Sequence, residues 1–322
     1  MTLTVEMILK GTGIGPMQSV GQMQVIPIVA PADATDDDAT YAPPQLEVGT
    51  SCYGSVALRN ANDKPTIVPY GAGWVVEERA QDHAIGSGAF LQAGEHKVLG
   101  KAMCIQQSQP GLIARAKRAM TILPAKLRAK ALAVRHVEQY NKLWEHITAF
   151  NTALGIDAAA NLVTFLRSFA KELDEFVAEF ELVPRQIGAI VLVGGEIVGV
   201  ERAPSAAYFA ATWEPLVRVC YGSLAIAAGR SRATPPATRL PLITGAKTLE
   251  ALRSALAELR TREEVLTQQL MSFVRPLRLE RADRADDTLD DAQLWTVAGM
   301  RLGGQVVIAG DAVKYASLVA AN

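Results

Sequence analysis

An α+β fold is what the sequence predicts, and three observations predict it. Short apolar runs broken by Gly, Pro and Asn occupy the first third of the chain. Two apolar stripes at helical spacing follow, and a hairpin pattern with a double-glycine turn comes after them. The expected architecture is an N-terminal antiparallel β-sandwich or barrel-like sheet with a helical hairpin, a β-hairpin plus helix, and C-terminal strands. Three regions are expected: a β-rich one over 1–111, helices and hairpin over 112–230, and linker, helix and strands over 231–322. They are read as one composite domain.

Gln22–Val29 is a short apolar run ended by Ala30-Pro31. Ser55–Arg59 and Pro65–Pro69 flank Asn60–Lys64, whose turn residues predict a hairpin. Gly73–Glu77, Ala84–Leu91 and Lys101–Gln106 read as further strands. Tyr140, Leu143, Trp144, Ile147, Phe150 and Leu154 then recur at helical spacing within Pro124–Leu154, with Gly155 as the stop. Asp157 is placed to cap a second helix, striped by Leu162, Phe165, Leu166, Phe169, Leu173, Phe176 and Phe180. Such aromatic stripes predict core packing.

Gln186–Val193 and Ile197–Glu201 flank Gly194-Gly195-Glu196, the clearest hairpin in the chain. Ser205 is placed to cap a helix lined by Phe209, Trp213, Leu216, Cys220 and Leu224. Gly229–Arg239 reads as a polar linker, Thr248–Arg260 as a charged amphipathic helix, and Gln305–Ala309 and Val313–Leu318 as final strands. Asp36–Asp38 reads as a polar turn, and Asp283, Asp286, Asp287, Asp290 and Asp291 as a solvated loop whose spacing fits no calcium loop.

Composition excludes several classes. Lys and Arg number 32 against 33 Asp and Glu, a balance that provides no basic excess for nucleic acid. The richest basic stretch, from Arg115, Lys117 and Arg118 to Lys126, Arg128 and Lys130, reads as a solvated helix face. Apolar residues reach 49 %, which favours self-association, so a homo-oligomer is expected. Cys52, Cys104 and Cys220 are odd in number and lack C-x-x-C spacing, so no disulfide framework and no metal site are expected. Free thiols, no signal-peptide pattern at Met1–Glu6 and no apolar run of bilayer length point to a cytoplasmic protein without a membrane partner.

Motifs for named chemistry are imperfect. Gly11-Thr-Gly13-Ile-Gly15-Pro16 puts Pro where a dinucleotide fingerprint needs its third Gly, and a strand pattern follows it. Gly49-Thr-Ser51-Cys-Tyr53 has Tyr at the closing glycine of a nucleophile elbow. What remains is Glu77-Glu-Arg-Ala-Gln81-Asp82-His83 with Cys104-Ile-Gln106-Gln107. Asp82 and His83 point to opposite faces of a strand but can meet in a bend, where the imidazole would serve as general base. Cys104 and Gln106 share a face, and a neighbouring His would lower the thiol's pKa. Candidate catalytic residues are therefore His83, Cys104 and Asp82, and candidate ligand-binding residues Gln81, Gln106 and Gln107. His136 and His146 lie roughly 80° apart around a helix and are not expected to share a metal.

Val25-Ile-Pro27-Ile, Gly54-Ser55-Val, Asn60 before Lys64-Pro65, and Ala93-Gly94 leading to Cys104 occur in that order. Pro184-x-Gln186-Ile-Gly188-Ala, Gly195-x-Ile-Val-Gly199 and Phe209-x-x-x-Trp213 follow. In this the chain resembles the ARG and rhodanese-phosphatase-superfamily-associated protein family, where ARG denotes ADP-ribosylglycohydrolase, over about residues 8–228. The resemblance implies a role in NAD and ADP-ribose metabolism, with ADP-ribose or an NAD-derived molecule as ligand. Many members carry Lys-Gln-Asn-Arg where this chain has Ala80-Gln81-Asp82-His83, and Glu where it has Gln106. Those departures remove groups suited to grip phosphate or move a proton. The leading expectation is an accessory, self-associating protein that binds a partner or nucleotide-like ligand without cofactor. An enzyme or processing factor of ADP-ribose metabolism, and a structural subunit of a filament, shell or phage-like particle, are the alternatives.

Overall fold

Strands from both ends of the chain meet in one large sheet in the structure, a computed structural model that describes residues 2–34, 39–50, 52–76, 82–107, 118–231 and 248–321. The sheet is antiparallel and eleven-stranded. Its main path runs β1 (Thr2–Thr4), β16 (Arg278–Arg281), β18 (Ala292–Ala298), β19 (Leu302–Ala309), β20 (Ala312–Ala320), β15 (Glu196–Arg202), β14 (Gln186–Val193), β4 (Met23–Val29) and β2 (Gly13–Ile14). Strand β17 (Asp287–Leu289) joins β18, and β3 (Gln18–Val20) joins β4.

Both faces of this sheet are covered, as alternation along the central strands shows. Ala189, Val191 and Val193 of β14 enter one core with Val25, Tyr315 and the helices, whereas Ile190 and Leu192 enter another with Ile26, Ile28, Val274 and Leu318. All eight residues of β14 are buried in consequence. The predicted hairpin is present, with its turn at Gly194 (φ 59°) and Gly195 (φ 83°).

Three small sheets stand beside it. One orders β11 (His96–Gly100), β6 (Ser55–Asn60) and β5 (Leu46–Gly49); a second pairs β10 (Ala89–Leu91) with β7 (Thr66–Val68). The third orders β12 (Met103–Cys104), β9 (His83–Ala84), β8 (Ala72–Val76) and β13 (Arg118–Ile122). The fold is α+β as expected, and its sheets are open rather than closed into a barrel. The hairpin expected across Asn60–Lys64 is absent, because β6 and β7 enter different sheets. Buried Asn60 explains the divergence: its Nδ2 donates to the carbonyls of Lys64 and Gln92, both at 2.9 Å, so its side chain joins loops instead of closing a ladder.

The helices are α1 (Val5–Ile8), α2 (Ala125–Ala133), α3 (Trp144–Ala153), α4 (Leu162–Ser168), α5 (Ala170–Glu179), α6 (Ala206–Pro215), α7 (Gly222–Arg230) and α8 (Leu249–Val274). Ser205 caps α6 through a 3.1 Å bond from Tyr208 N–H. Asp157, by contrast, does not cap α4; Asn161 does, accepting from Thr164 N–H at 3.2 Å. Pro215 ends α6, and a π-helical turn over Leu216–Tyr221 carries the chain into α7. Helix α8 extends far past the expected end at Arg260. The run expected as one strand over Ala84–Leu91 is broken at Gly86–Gly88, where the chain packs too closely for a side chain: a Cβ on Gly86 would lie 2.5 Å from Ala131 O, and one on Gly88 2.6 Å from Val68 O.

Candidate functional site

Two polar constellations flank the small sheets, and the first contains the residues singled out from sequence. Cys104 of β12 lies directly opposite His83 of β9, which in turn faces Trp74 of β8. Opposed residues of antiparallel strands share a face, so the imidazole and thiol are neighbours. Gly54 N–H donates to His83 Nε2 at 3.4 Å. Asp82 anchors the same corner through its carbonyl, which accepts from Ile105 N–H at 3.0 Å. Gln106 bridges to Asn161, and Gln107 N–H donates to Ala160 O at 2.8 Å. Gln81 and residues 77–80 lie outside the described residues.

This corner is shut. Asp82, His83 and Cys104 are each no more than 1 % exposed, below a row of aromatic rings. Tyr53 and Tyr140 lie 5.3 Å apart, and Tyr140 meets Trp144 edge-on at 5.8 Å. The Trp144 indole donates to Cys104 O at 3.1 Å, and the thiol itself donates to Gln106 O at 3.1 Å. Burial pushes the Cys104 thiol above its ordinary range; contacts with the Gln106 backbone and Trp144 pull back in part, and Asp82 adds to the rise. A raised pKa is the reverse of what a nucleophilic cysteine needs.

The second constellation was not singled out from sequence. A cleft of about 270 Å³ opens where the Gly86-Ser87-Gly88 turn, β11, the end of α2 and the start of β17 converge. Lys97, Lys101, Arg135, His136, Asp286 and Asp287 line it. Its two carboxylates are already engaged. Asp286 accepts from Arg135 Nε at 2.9 Å, Thr296 Oγ1 at 2.5 Å and Gln305 Nε2 at 3.0 Å. Asp287 accepts from Lys97 Nζ at 2.8 Å and Phe90 N–H at 2.9 Å. Gln305 completes the frame by accepting from Gly88 N–H at 2.7 Å and donating to Ser87 Oγ at 2.8 Å.

Of the acidic stretch expected as a solvated loop, Asp283, Asp290 and Asp291 are exposed, but Asp286 and Asp287 are half-buried struts. Arg135 spends Nε on Asp286 and Nη1 on Leu132 O, while its Nη2 has no hydrogen bond among the described residues. Lys101 sits at the rim with φ 60°, its Nζ 3.0 Å from exposed Glu138. The cleft thus holds three cations against two carboxylates, with Arg135 Nη2 left over, which suits an anion. Among the described residues no group of three His, Cys, Asp or Glu could hold a metal ion.

A family model described as the ARG and Rhodanese-Phosphatase-superfamily-associated Protein domain, ARPP-1, matches residues 11–308. The chain belongs to the ARPP-1 family. The matched span takes in both constellations and most of the large sheet, leaving out β1 at its edge and β20 near its middle. No curated protein and no solved structure matches the chain. Among the described residues, no helix of this ARPP-1 protein is long and apolar enough to cross a membrane.

A third polar cluster of the ARPP-1 fold is structural. Arg128, expected on a solvated helix face, is fully buried. It donates to Glu201 Oε1 at 2.8 Å, Ser317 Oγ at 2.5 Å and Tyr70 O at 3.0 Å, with its Cζ 4.0 Å from the Tyr70 ring centre. Tyr221 donates to the same Glu201 oxygen at 2.7 Å. The adjoining cavity is about 10 Å³, room for about one water. Arg115 and Lys117, at the start of that basic stretch, lie outside the described residues.

Proposed function

We propose that this protein is a non-catalytic binding module for a small phosphorylated, nucleotide-like ligand, held in the cleft between Gly86–Gly88, Arg135 and Lys101. One observation carries the reading: three cations, Lys97, Lys101 and Arg135, line the cleft against two carboxylates, and Arg135 keeps its Nη2 uncommitted among the described residues. The volume of about 270 Å³ suits a phosphate with its ribose and leaves the remainder of a dinucleotide-sized ligand at the mouth. Membership of a family associated with ADP-ribosylglycohydrolases makes ADP-ribose the first ligand to try. The rival enzymatic reading places chemistry at His83 and Cys104, and the closed aromatic cover together with the raised thiol pKa weighs against it.

Calorimetric titration with ADP-ribose, AMP and inorganic phosphate tests the proposal. Lys101→Ala and His136→Ala are each expected to weaken ADP-ribose binding about tenfold, the loss of one charge-assisted contact. Cys104→Ala is expected to bind as the wild type does. Binding that survives both cleft substitutions, or turnover of the ligand that Cys104→Ala abolishes, overturns the reading.

A further inference from the structure

Helix α8 carries a seam that, apart from Leu270 near its root, packs against none of the hydrophobic cores of the described residues. Leu249, Leu252, Leu256, Leu259, Glu263, Leu266, Leu270 and Phe273 alternate at spacings of three and four over the whole 26-residue helix. That is the a/d pattern of a coiled coil, sustained for more than three heptads. Most of its apolar side chains are open: Leu249 is 65 % exposed, Leu266 56 % and Phe273 72 %. Met271 and Val274 are the helix's buried residues, and both lie at the root where it joins the body. Among the described residues, the side-chain hydrogen bonds of the helix all stay within it or its cap.

We infer that α8 is a dimerisation arm whose occupant is α8 of a second copy, running antiparallel. Charge selects that occupant. Glu263 is the one charged residue in the seam; Arg260, which has no ion pair among the described residues, lies at an edge position beside it, whereas Arg262 is held by Glu258. A second copy therefore brings the guanidinium of its Arg260 to the carboxylate that pairing would bury, which a lipid surface or plain apolar helix would not. Orientation follows from the same residue. A parallel pair stacks Glu263 on Glu263 of the other copy, whereas an antiparallel pair opposes a with d positions. Leu249 then meets Phe273, Leu252 meets Leu270, Leu256 meets Leu266, and Glu263 meets Leu259, so the two carboxylates occupy separate layers. The contact is isologous and closes at two copies.

Sedimentation equilibrium of the full chain is expected to show a dimer. The double variant Leu256→Glu/Leu266→Glu should raise its dissociation constant more than ~100-fold by placing charges in opposed layers. Far-UV circular dichroism and melting of the body should stay as in the wild type, because both side chains are exposed. Glu263→Leu should tighten the dimer. A spin label at Glu250→Cys in a Cys52→Ser background should give a separation of about 33 Å for the antiparallel pair and under about 20 Å for a parallel one. A wild-type monomer at ~100 μM, a dimer indifferent to the double variant, or the short label distance overturns the inference.

Discussion

Burial separates the three thiols. Cys52 is exposed, with its Sγ 2.9 Å from Ser55 Oγ, whereas Cys104 and Cys220 are buried. Cys220 packs beside Arg128, and burial pushes its thiol up to about 12, the guanidinium offsetting only part of the rise. The unfolded chain ionises that thiol near its ordinary value of 9.0. Between those values the folded state holds the extra proton, so stability falls as pH rises. The contribution is whole below pH 9 and lost towards pH 12. Urea unfolding at pH 8 and pH 10 should therefore show the wild type losing about 1 kcal/mol more than Cys220→Ala over that interval. Equal losses would mean that Cys220 reaches water in the folded protein.

Helix α4 begins where a side chain can reach its first free N–H groups, and only the folded chain shows which residue that is. Asp157 and Asn161 both suit a cap by type, and Asn161 is the one that accepts from Thr164. Asn161→Ala should cost about 1 kcal/mol in chemical unfolding, a typical cap loss. Asp157→Ala, at an exposed position, should stay within about 0.5 kcal/mol. Reversal of that order would move the start of the helix back to Asp157. Pro215 has a comparable local effect: the apolar series Phe209, Trp213, Leu216, Cys220 and Leu224 reads as one helix, yet the chain passes through a π turn.

The large sheet is held together near its middle by β20, which joins β19 on one side and β15 on the other. Without it, the strands from β1 to β19 lose their ladder to β15, β14 and β4. Ser317 of β20 also accepts from buried Arg128, so its loss leaves a cation without one of its partners. A chain ending at Asp311 should consequently lack a cooperative thermal transition by circular dichroism. A normal melt would show that the sheet halves are stable apart.

Periodicity was enough for the parts of the fold in which near neighbours decide. The hairpin at Gly194-Gly195, the Ser205 cap and the final strands depend on residues a few positions apart, so their patterns are local and legible. His83 and Cys104 were likewise readable as a polar pair, and the sheet register does bring them together. Other features needed distant partners. Asn60 closes no hairpin because Gln92 and Lys64 share its amide, and Arg128 leaves the surface because Glu201 and Ser317 await it. The cleft joins residues near 87, 135, 286 and 305, and no window of sequence contains them all. Helix α8 shows the division most plainly: its heptads are written in the chain, but only the packing reveals that most of the seam is left exposed. Local patterns set which elements form, through spacing and caps; tertiary contacts decided which polar groups are buried struts and which remain open to a ligand or a second copy, because desolvation depends on what packs around a group and not on its neighbours in sequence.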